Sequence, residues 1–412
     1  MSRRSPLLPI FLIVLVDIFG LTIIIPLLSI YSESFGATPL QATLLVSIYA
    51  LCQLVSGPLL GRISDRIGRK PILLVSQVGT FIGFIVLARA SSLWMIYLSR
   101  VIDGSTAGNI SIAQAYISDN TAPKDRTKSF ALIGIAFGLG FFIGPFLTGY
   151  LVNYGLSAPI YAACVMSLTS IVCTLTLLPN AGPPKPSAEA AADPGPGGKR
   201  LAIFEWKGYT EFFSRPVLSG LLAQLFFYAL CFSTFTSGFA LFAERRFTWN
   251  GHPFTPREIG FLLAYVGLLG IILQGGLIGR LVKRFGESSL VSAGFVTLIV
   301  SYLILGPIHD IAALALVSTL SSFGNGVLRP TLSSLVSQSA GKHEQGVVLG
   351  LSQSLNSVAQ ILAPVLGGIL IERDHLTLWA WIAAVAAFVG LVWARWGSSL
   401  VAQARPESPS AG

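Results

Sequence analysis

Gly61-Arg62-Ile63-Ser64-Asp65-Arg66-Ile67-Gly68-Arg69-Lys70 stands between two long apolar stretches, and a blurred copy, Gly279-Arg280-Leu281-Val282-Lys283-Arg284-Phe285-Gly286-Glu287-Ser288, follows at a shift of 218 residues. That shift is about half of the 412-residue chain, so the sequence reads as two related halves with one such loop in each. Other positions repeat with it. Gly57 falls on Gly275 at 218, Gly144-Pro145-Phe146-Leu147-Thr148-Gly149 on Ala363-Pro364-Val365-Leu366-Gly367-Gly368 at 219, and Gly108-Asn109 on Gly324-Asn325 at 216. Agreement at nearly one offset in four places is hard to obtain between unrelated helices.

Working outward from the loops, the flanking stretches are long enough to cross a membrane. The chain is 53% hydrophobic and only 11% charged, with a mean hydropathy of +0.73, a balance that a soluble domain of this length could not hide from water. A hydrocarbon core of ~30 Å takes roughly 20 helical residues. Apolar runs of that size are expected over 7–31, 41–61, 71–90, 93–118, 129–153 and 157–178, and again over 216–242, 258–280, 288–307, 311–336, 345–371 and 377–399. The expected fold is therefore all-α and integral to a membrane, with twelve transmembrane helices in two pseudo-symmetric six-helix bundles. Residues 1–180 form the first bundle, 181–215 a linker, 216–400 the second bundle and 401–412 a tail. The linker core, Ala181 to Arg200, is rich in Pro, Gly and Ala and reads as flexible, while 201–216 mixes aromatic and charged residues as an interfacial helix does. Duplicated halves of this kind are an architecture of transporters that rock about a central site.

Charge gives the orientation, because Lys and Arg are retained on the cytoplasmic side. With both termini cytoplasmic, twenty of the 27 basic residues fall inside and five outside, Arg89, Arg245, Arg246, Arg257 and Arg373, leaving Arg100 and Arg329 within the membrane. The net charge of +9 is thus a topology signal, and no nucleic-acid partner is expected. Arg3 and Arg4 precede the first apolar run, but its length, Asp17 and Pro26 mark a retained span rather than a cleaved signal. Cys52, Cys164, Cys173 and Cys231 all lie in expected spans and call for no disulfide framework. An enzyme is not expected: His252, His309, His343 and His375 sit in or beside separate loops, without metal-ligand spacing or a phosphate-binding loop. No cofactor or metal is expected.

The pattern Gly61-x3-Asp65-Arg66-x-Gly68-Arg69-Lys70 resembles the signature between spans two and three of the major facilitator superfamily at every defining position. A second string, Gly140-x3-Gly144-Pro145-x2-Thr148-Gly149, is similar to the glycine-proline motif of the antiporter branches, with Thr148 where a glycine is usual. Leu98 to Ser111, Ala115 to Asp119 and Gly134 to Gly140 resemble the tetracycline-efflux group and the tetracycline-transporter-like proteins of animals. The resemblance implies that Gly61, Asp65, Arg66, Gly68, Arg69, Lys70 and Asp119 gate the cavity by latching the halves when it faces outward. It further implies that Arg100 is the family's span-four arginine. Two departures stand out. The aspartate usual in span three of tetracycline exporters is replaced by Gly83, which argues against metal-bound tetracycline as substrate. Asp103 in turn stands where the family has glutamine, alanine or glycine.

Intramembrane charge points to mechanism. Unpaired near the bilayer centre, Asp17, Arg100, Asp103 and Arg329 would each cost roughly 2.5–3.5 kcal/mol on insertion scales. Arg100 and Asp103 lie three apart, on one helical face. One reading makes them a static ion pair. In the other, Asp17 and Asp103 exchange a proton as hydration and occupancy change, with Arg100 tuning them. Arg329 either attracts an anionic substrate or snorkels to the surface. Gln224, Tyr228, Phe232, Phe235 and Phe239 fall on one helical stripe, read either as packing or as a cavity wall, and Asn109, Asn325, Gln353, Asn356 and Gln360 add hydrogen-bonding groups.

The combined expectation is a proton-coupled secondary transporter exporting a lipophilic or amphiphilic small molecule by alternating access, with protons and membrane lipids as its other partners. A monomer in a bacterial inner membrane is expected. A lipid or glycolipid flippase, an organic-anion transporter and a non-transporting membrane receptor are the alternatives.

Overall fold

The computed structural model describes residues 7–120, 126–179, 212–339 and 345–403. The flexible linker expected at 181–200, most of the interfacial helix expected at 201–216 and the tail beyond 403 lie outside these residues.

Proline and glycine place most of the helix ends. The first expected span divides into α1 (Leu7–Ile24) and α2 (Leu28–Glu33), because Pro26 has no N–H for the helical ladder. Thr38 then caps α3 (Pro39–Ile67): its hydroxyl accepts from Gln41 N while the Gln41 side chain accepts from Thr38 N, with Pro39 at the first helical position. α3 runs six residues past the expected limit at 61, so Gly61 to Ile67 is helix and the loop shrinks to a turn at Gly68. α4 (Arg69–Ala88) follows directly.

The fourth expected span is broken into α5 (Leu93–Ser105) and α6 (Asn109–Asn120). Ser76 of α4 fills the gap in the ladder: its hydroxyl donates to Thr106 O and accepts from Gly108 N at 2.9 Å. Gly79 lies directly against the Thr106 side chain, leaving no room for a Cβ. α7 (Arg126–Leu151) and α8 (Ala158–Leu177) complete the first half.

The second half contains α9 (Pro216–Arg246), α10 (Pro256–Ile272), α11 (Ile278–Phe285), α12 (Glu287–Leu305), α13 (Ile311–Ser339), α14 (Gln345–Glu372) and α15 (Leu376–Gln403). A π-turn at Leu273–Leu277 joins α10 to α11. Between α9 and α10, Thr248–Trp249 and His252–Pro253 form a two-stranded antiparallel hairpin. Its turn is Asn250-Gly251, with φ of 50° and 84°, the pairing that a tight hairpin demands.

Ten helical stretches among the described residues have the length and apolarity to cross a membrane, and Pro9–Ile24 is a shorter apolar helix. Buried apolar residues fall into separate sets. Ile10, Ile13, Leu73, Tyr116 and Ile117 form one cluster and Ile23, Leu45, Phe84 and Ile160 another, both within the first half. Phe239, Phe242, Phe295, Tyr302 and Trp379 centre a larger cluster in the second half.

Candidate functional site

The Gly68 turn organises one end of the molecule. Gly68 has φ +111°, the left-handed region that disfavours any residue with a Cβ, and it both closes α3 and opens α4. Arg69 is thereby folded back onto α3. Its Nη1 is 2.6 Å from Asp65 and donates to Ser64 Oγ at 2.7 Å, while its Nε reaches Asp119 at the end of α6 at 2.8 Å. Lys70 Nζ donates to Leu175 O and Leu178 O, at 3.0 and 2.6 Å, and so covers the C-terminus of α8. Asp65, Arg69 and Asp119 thus meet, and all three belong to the first half. Among the described residues this network ties α3, α4, α6 and α8 together without crossing to the second half. Gly61 is open, with nothing within 4 Å of where a Cβ would stand, and Arg66 is exposed.

Inside the first half lies a buried polar cluster. Arg100 and Asp103 are each 4% exposed, with Nη1 and Oδ2 3.3 Å apart. The guanidinium packs over the Phe84 ring at 5.9 Å, Nε donates to Ser99 Oγ at 3.2 Å, and Nη2 has no hydrogen-bond partner. Asp103 also interacts with Thr80. On α1, half-buried Asp17 interacts with Gln77 and Ser170 and lies in electrostatic range of Asp103. Gln77 is fully buried and donates from Nε2 to Ser170 Oγ at 2.7 Å. The three expected coupling residues therefore share one buried region. Gly83 explains a departure noted in the sequence: a Cβ there would stand 3.1 Å from both Asp103 Cβ and Ser99 O. An acid side chain at 83 would compete for the space that Asp103 occupies, and this chain carries its carboxylate on α5 instead.

Two seams join the halves, and both run from the end opposite the Gly68 turn. Along the first, Glu372 at the end of α14 accepts from Thr38 Oγ1 and Leu40 N, at 2.9 and 3.1 Å; Thr43 Oγ1 donates to Pro364 O at 2.8 Å and Ser47 Oγ to Ile361 O at 2.9 Å. Beyond Ser47 the helices part, and Gly57 and Gly350 have nothing within 4 Å. Along the second seam, Gly149 lies against Arg257 O, Gly260 against Pro145 O, Gly267 against the Phe141 backbone and Gly138 3.5 Å from Ile271. One turn on, Gly134 and Gly275 are open. Arg245 completes the closure by pairing with Glu33 at 2.6 Å. The halves are sealed at this far end and separate towards the basic end, where Arg62, Arg66, Arg280, Lys283 and Arg284 gather.

The α7 motif serves two contacts. Gly140 and Gly144 lie on Ile18 and Thr22 of α1, whose Thr22 hydroxyl donates to Gly140 O at 2.8 Å. Pro145 and Gly149 face α10 across the second seam. Thr148, unusual for the motif, is fully buried and donates to Ile23 O and Gly144 O, adding a side-chain tie to α1.

The aromatic stripe of α9 divides. Tyr228 and Phe232 stack at 6.1 Å, and Phe232 meets Phe141 of α7 edge-on at 6.4 Å, so this part faces the other half. Phe235 turns into the second-half core, stacked on Phe239 at 4.6 Å and tilted against Tyr302 at 5.6 Å. Gln224 is buried, Gln353 exposed and Asn356 half-buried. Asn109 and Asn325, the repeat-related pair, each carry a buried Oδ1 without a hydrogen-bond partner. Arg329 is exposed and holds its guanidinium 4.6 Å from the Phe137 ring centroid.

Several contributors carry little or no signal of their role in the sequence. Gln77 and Ser170 are visible there only as polar letters in apolar spans. Glu33 and Glu372 act across more than 200 residues of chain and leave no local pattern, and Thr38 shows in the sequence only as a helix cap.

Comparison with known proteins bears on the fold and the family. The sequence profile of the Major Facilitator Superfamily matches residues 10–364 and 253–411. The class E tetracycline resistance protein of Escherichia coli is 30% identical over 383 residues, covering 92% of this chain and 91% of that one. Multidrug resistance protein 2 of Bacillus subtilis (strain 168) is 26% identical over 376 residues, 89% of each chain. Among solved structures, the human organic anion transporter MFSD10 (TETRAN) superimposes with a TM-score of 0.71 at 23% identity, over 96% of this chain and all of that one. With a profile that spans nearly its whole length, the chain belongs to the Major Facilitator Superfamily.

Proposed function

We propose that this transporter exports an amphiphilic small molecule in exchange for protons, through twelve spans arranged as two six-helix bundles over 1–180 and 216–400. The observation that carries the proposal is the buried Arg100–Asp103 pair, 3.3 Å apart beside Asp17. A carboxylate held by an arginine in a water-poor interior changes its proton affinity when either the pairing or the hydration changes. Rocking of the halves supplies such a change. In this conformer the seams are closed at the far end and open at the basic end, and the distribution of Lys and Arg supports reading that end as cytoplasmic. Substrate enters from that side; the seams then close below it and open above, and protonation of Asp103 or Asp17 accompanies the return. The Asp65–Arg69–Asp119 network keeps α3, α4 and α6 rigid for that motion, and Arg66 with Gly61 remains available to meet the second half when the basic end shuts. Exposed Gln353 and the Tyr228–Phe232 face supply a wall that suits an amphiphile better than a sugar, which needs more polar partners.

The test is proton flux. In liposomes carrying a proton gradient, members of a chemically diverse amphiphile panel should dissipate the gradient through the wild type. Asp17→Asn should insert normally and lose that response. A full response in Asp17→Asn would remove Asp17 from the coupling route.

A further inference from the structure

Arg100 and Arg329 are both arginines in apolar helices, and the protein treats them oppositely. Arg100 is buried and matched by Asp103. Arg329 is exposed, and among the described residues no carboxylate lies within ion-pair distance of it. Its guanidinium rests on the face of Phe137, 4.6 Å from the centroid. From Phe137 a series of rings runs across the junction: Phe137 to Phe141 at 6.5 Å, Phe141 to Phe232 at 6.4 Å and Phe232 to Tyr228 at 6.1 Å. Tyr228, buried at the end of the series, lies within electrostatic range of Arg329, so the guanidinium and four rings mark one corner of the junction between the halves.

We propose that this corner binds the anionic head of the exported amphiphile, a carboxylate or sulfonate on an aromatic body, with Arg329 as the docking cation. The inference rests on the export reading above and names the substrate class for it. A planar guanidinium offers a fork of N–H donors that matches a carboxylate or sulfonate, and the rings offer flat apolar area for the rest of the molecule. One turn away on the same helix face, Asn325 is held by its amide to Ser321, with a buried Oδ1 that has no hydrogen-bond partner. Location gives the site a role in the cycle. Phe137 adjoins Gly138, the last contact of the second seam before α7 and α10 part. Extending the seam over this corner would desolvate Arg329, which is costly for a bare cation and less so for one neutralised by a bound anion. Occupancy therefore favours closure of the basic end.

Two probes that share one skeleton test this: 8-anilinonaphthalene-1-sulfonate, an aromatic anion, and N-phenyl-1-naphthylamine, which lacks the sulfonate. Ethidium serves as a cationic control. Uptake of each is measured in acid-interior proteoliposomes of the full chain. The wild type should favour the sulfonate over the amine, and Arg329→Gln should reduce that preference about tenfold through loss of sulfonate uptake. Arg329→Lys, which keeps the charge without the fork, should fall between them. The inference is overturned if Arg329→Gln leaves the ratio unchanged or lowers both probes equally, or if the wild type carries the amine or ethidium better than the sulfonate; the export reading survives those outcomes. Failure of the wild type to carry any of the three overturns both.

Discussion

The two copies of the repeat fold alike and are charged differently. Gly68 and Gly286, 218 residues apart, each take positive φ, at 111° and 77°, and each ends one helix and begins the next. At that same shift Asp65 falls on Lys283 and Arg69 on Glu287, a reversal of sign. Arg69 reaches Asp119 through an ion pair, whereas Glu287 accepts from neutral Ser334 and Gln338, at 2.9 and 3.3 Å. Deeper in the membrane the difference widens. Gln77 falls on Phe295, Arg100 on Ser318 and Asp103 on Ser321. The register there is set by contact, since Gly83 packs on Ser99 O as Ser301 Oγ hydrogen-bonds Val317 O at 3.0 Å, both pairs related by 218. Among the described residues, the second copy holds its helices together without a buried ion pair. On the proposed function, Arg100 and Asp103 serve a task beyond packing, one that the second copy does not share.

The largest effect should come from splitting that pair. Arg100→Met leaves Asp103 buried without its cation, a change that costs about 3–5 kcal/mol in such settings, and should sharply lower the unfolding temperature in detergent. Adding Asp103→Asn makes the site neutral, as it is in the second copy, and should recover most of that loss. If the double variant were as unstable as the single one, the ion pair would be part of the scaffold and the comparison would fail.

A smaller effect is expected at the turn. Arg69→Glu gives the first loop the charge of the second and opposes Asp65 and Asp119 directly. Transport should slow by about tenfold, with at most about 1 kcal/mol lost in stability because the pairs are partly solvated. Restoring attraction with Asp119→Arg in the same chain should recover part of the rate. Glu287→Gln, which breaks only hydrogen bonds to neutral groups, should leave transport close to wild type; equal losses at the two turns would show that sign is irrelevant there.

Symmetric effects are expected from the glycine substitutions. Gly68→Ala and Gly286→Ala should each cost about 1–3 kcal/mol, since both turns combine positive φ with extended ψ, a region that is essentially glycine-only, measured as matched shifts in unfolding temperature. Unequal shifts would separate the two turns in backbone as well as in charge.

These contrasts also mark what was legible in the sequence. A residue whose identity is dictated by its own backbone leaves a readable letter. Gly68, Gly286 and Pro26 are of this kind, and Asn250-Gly251 held a hairpin signal that the hydropathy pattern overshadowed. Arg100 and Asp103 were legible because charge is rare in apolar helices and three residues of spacing places both on one face. The break at Thr106 to Gly108 was not readable, because its hydrogen bonds are completed by Ser76 from another helix. Two extra residues there also account for the repeat shift falling from 218 before the break to 216 after it. The α9 stripe was regular in sequence, yet its division between Phe232 and Phe235 depends on which neighbour lies opposite, Phe141 or Tyr302. The sealing contact of Glu372 with Thr38 and Leu40 depends on how the halves meet and has no counterpart in local pattern.

The central claim is that the charged copy of the repeat couples transport to protons while the neutral copy needs no such charge to fold. Its most direct test is substrate-driven proton counterflow through the Arg100→Met, Asp103→Asn double variant in liposomes, measured beside the wild type with a substrate that both bind. The account predicts a folded, inserted protein that binds the substrate and moves no protons with it. Proton counterflow at the wild-type ratio would contradict the account and place coupling elsewhere in the molecule.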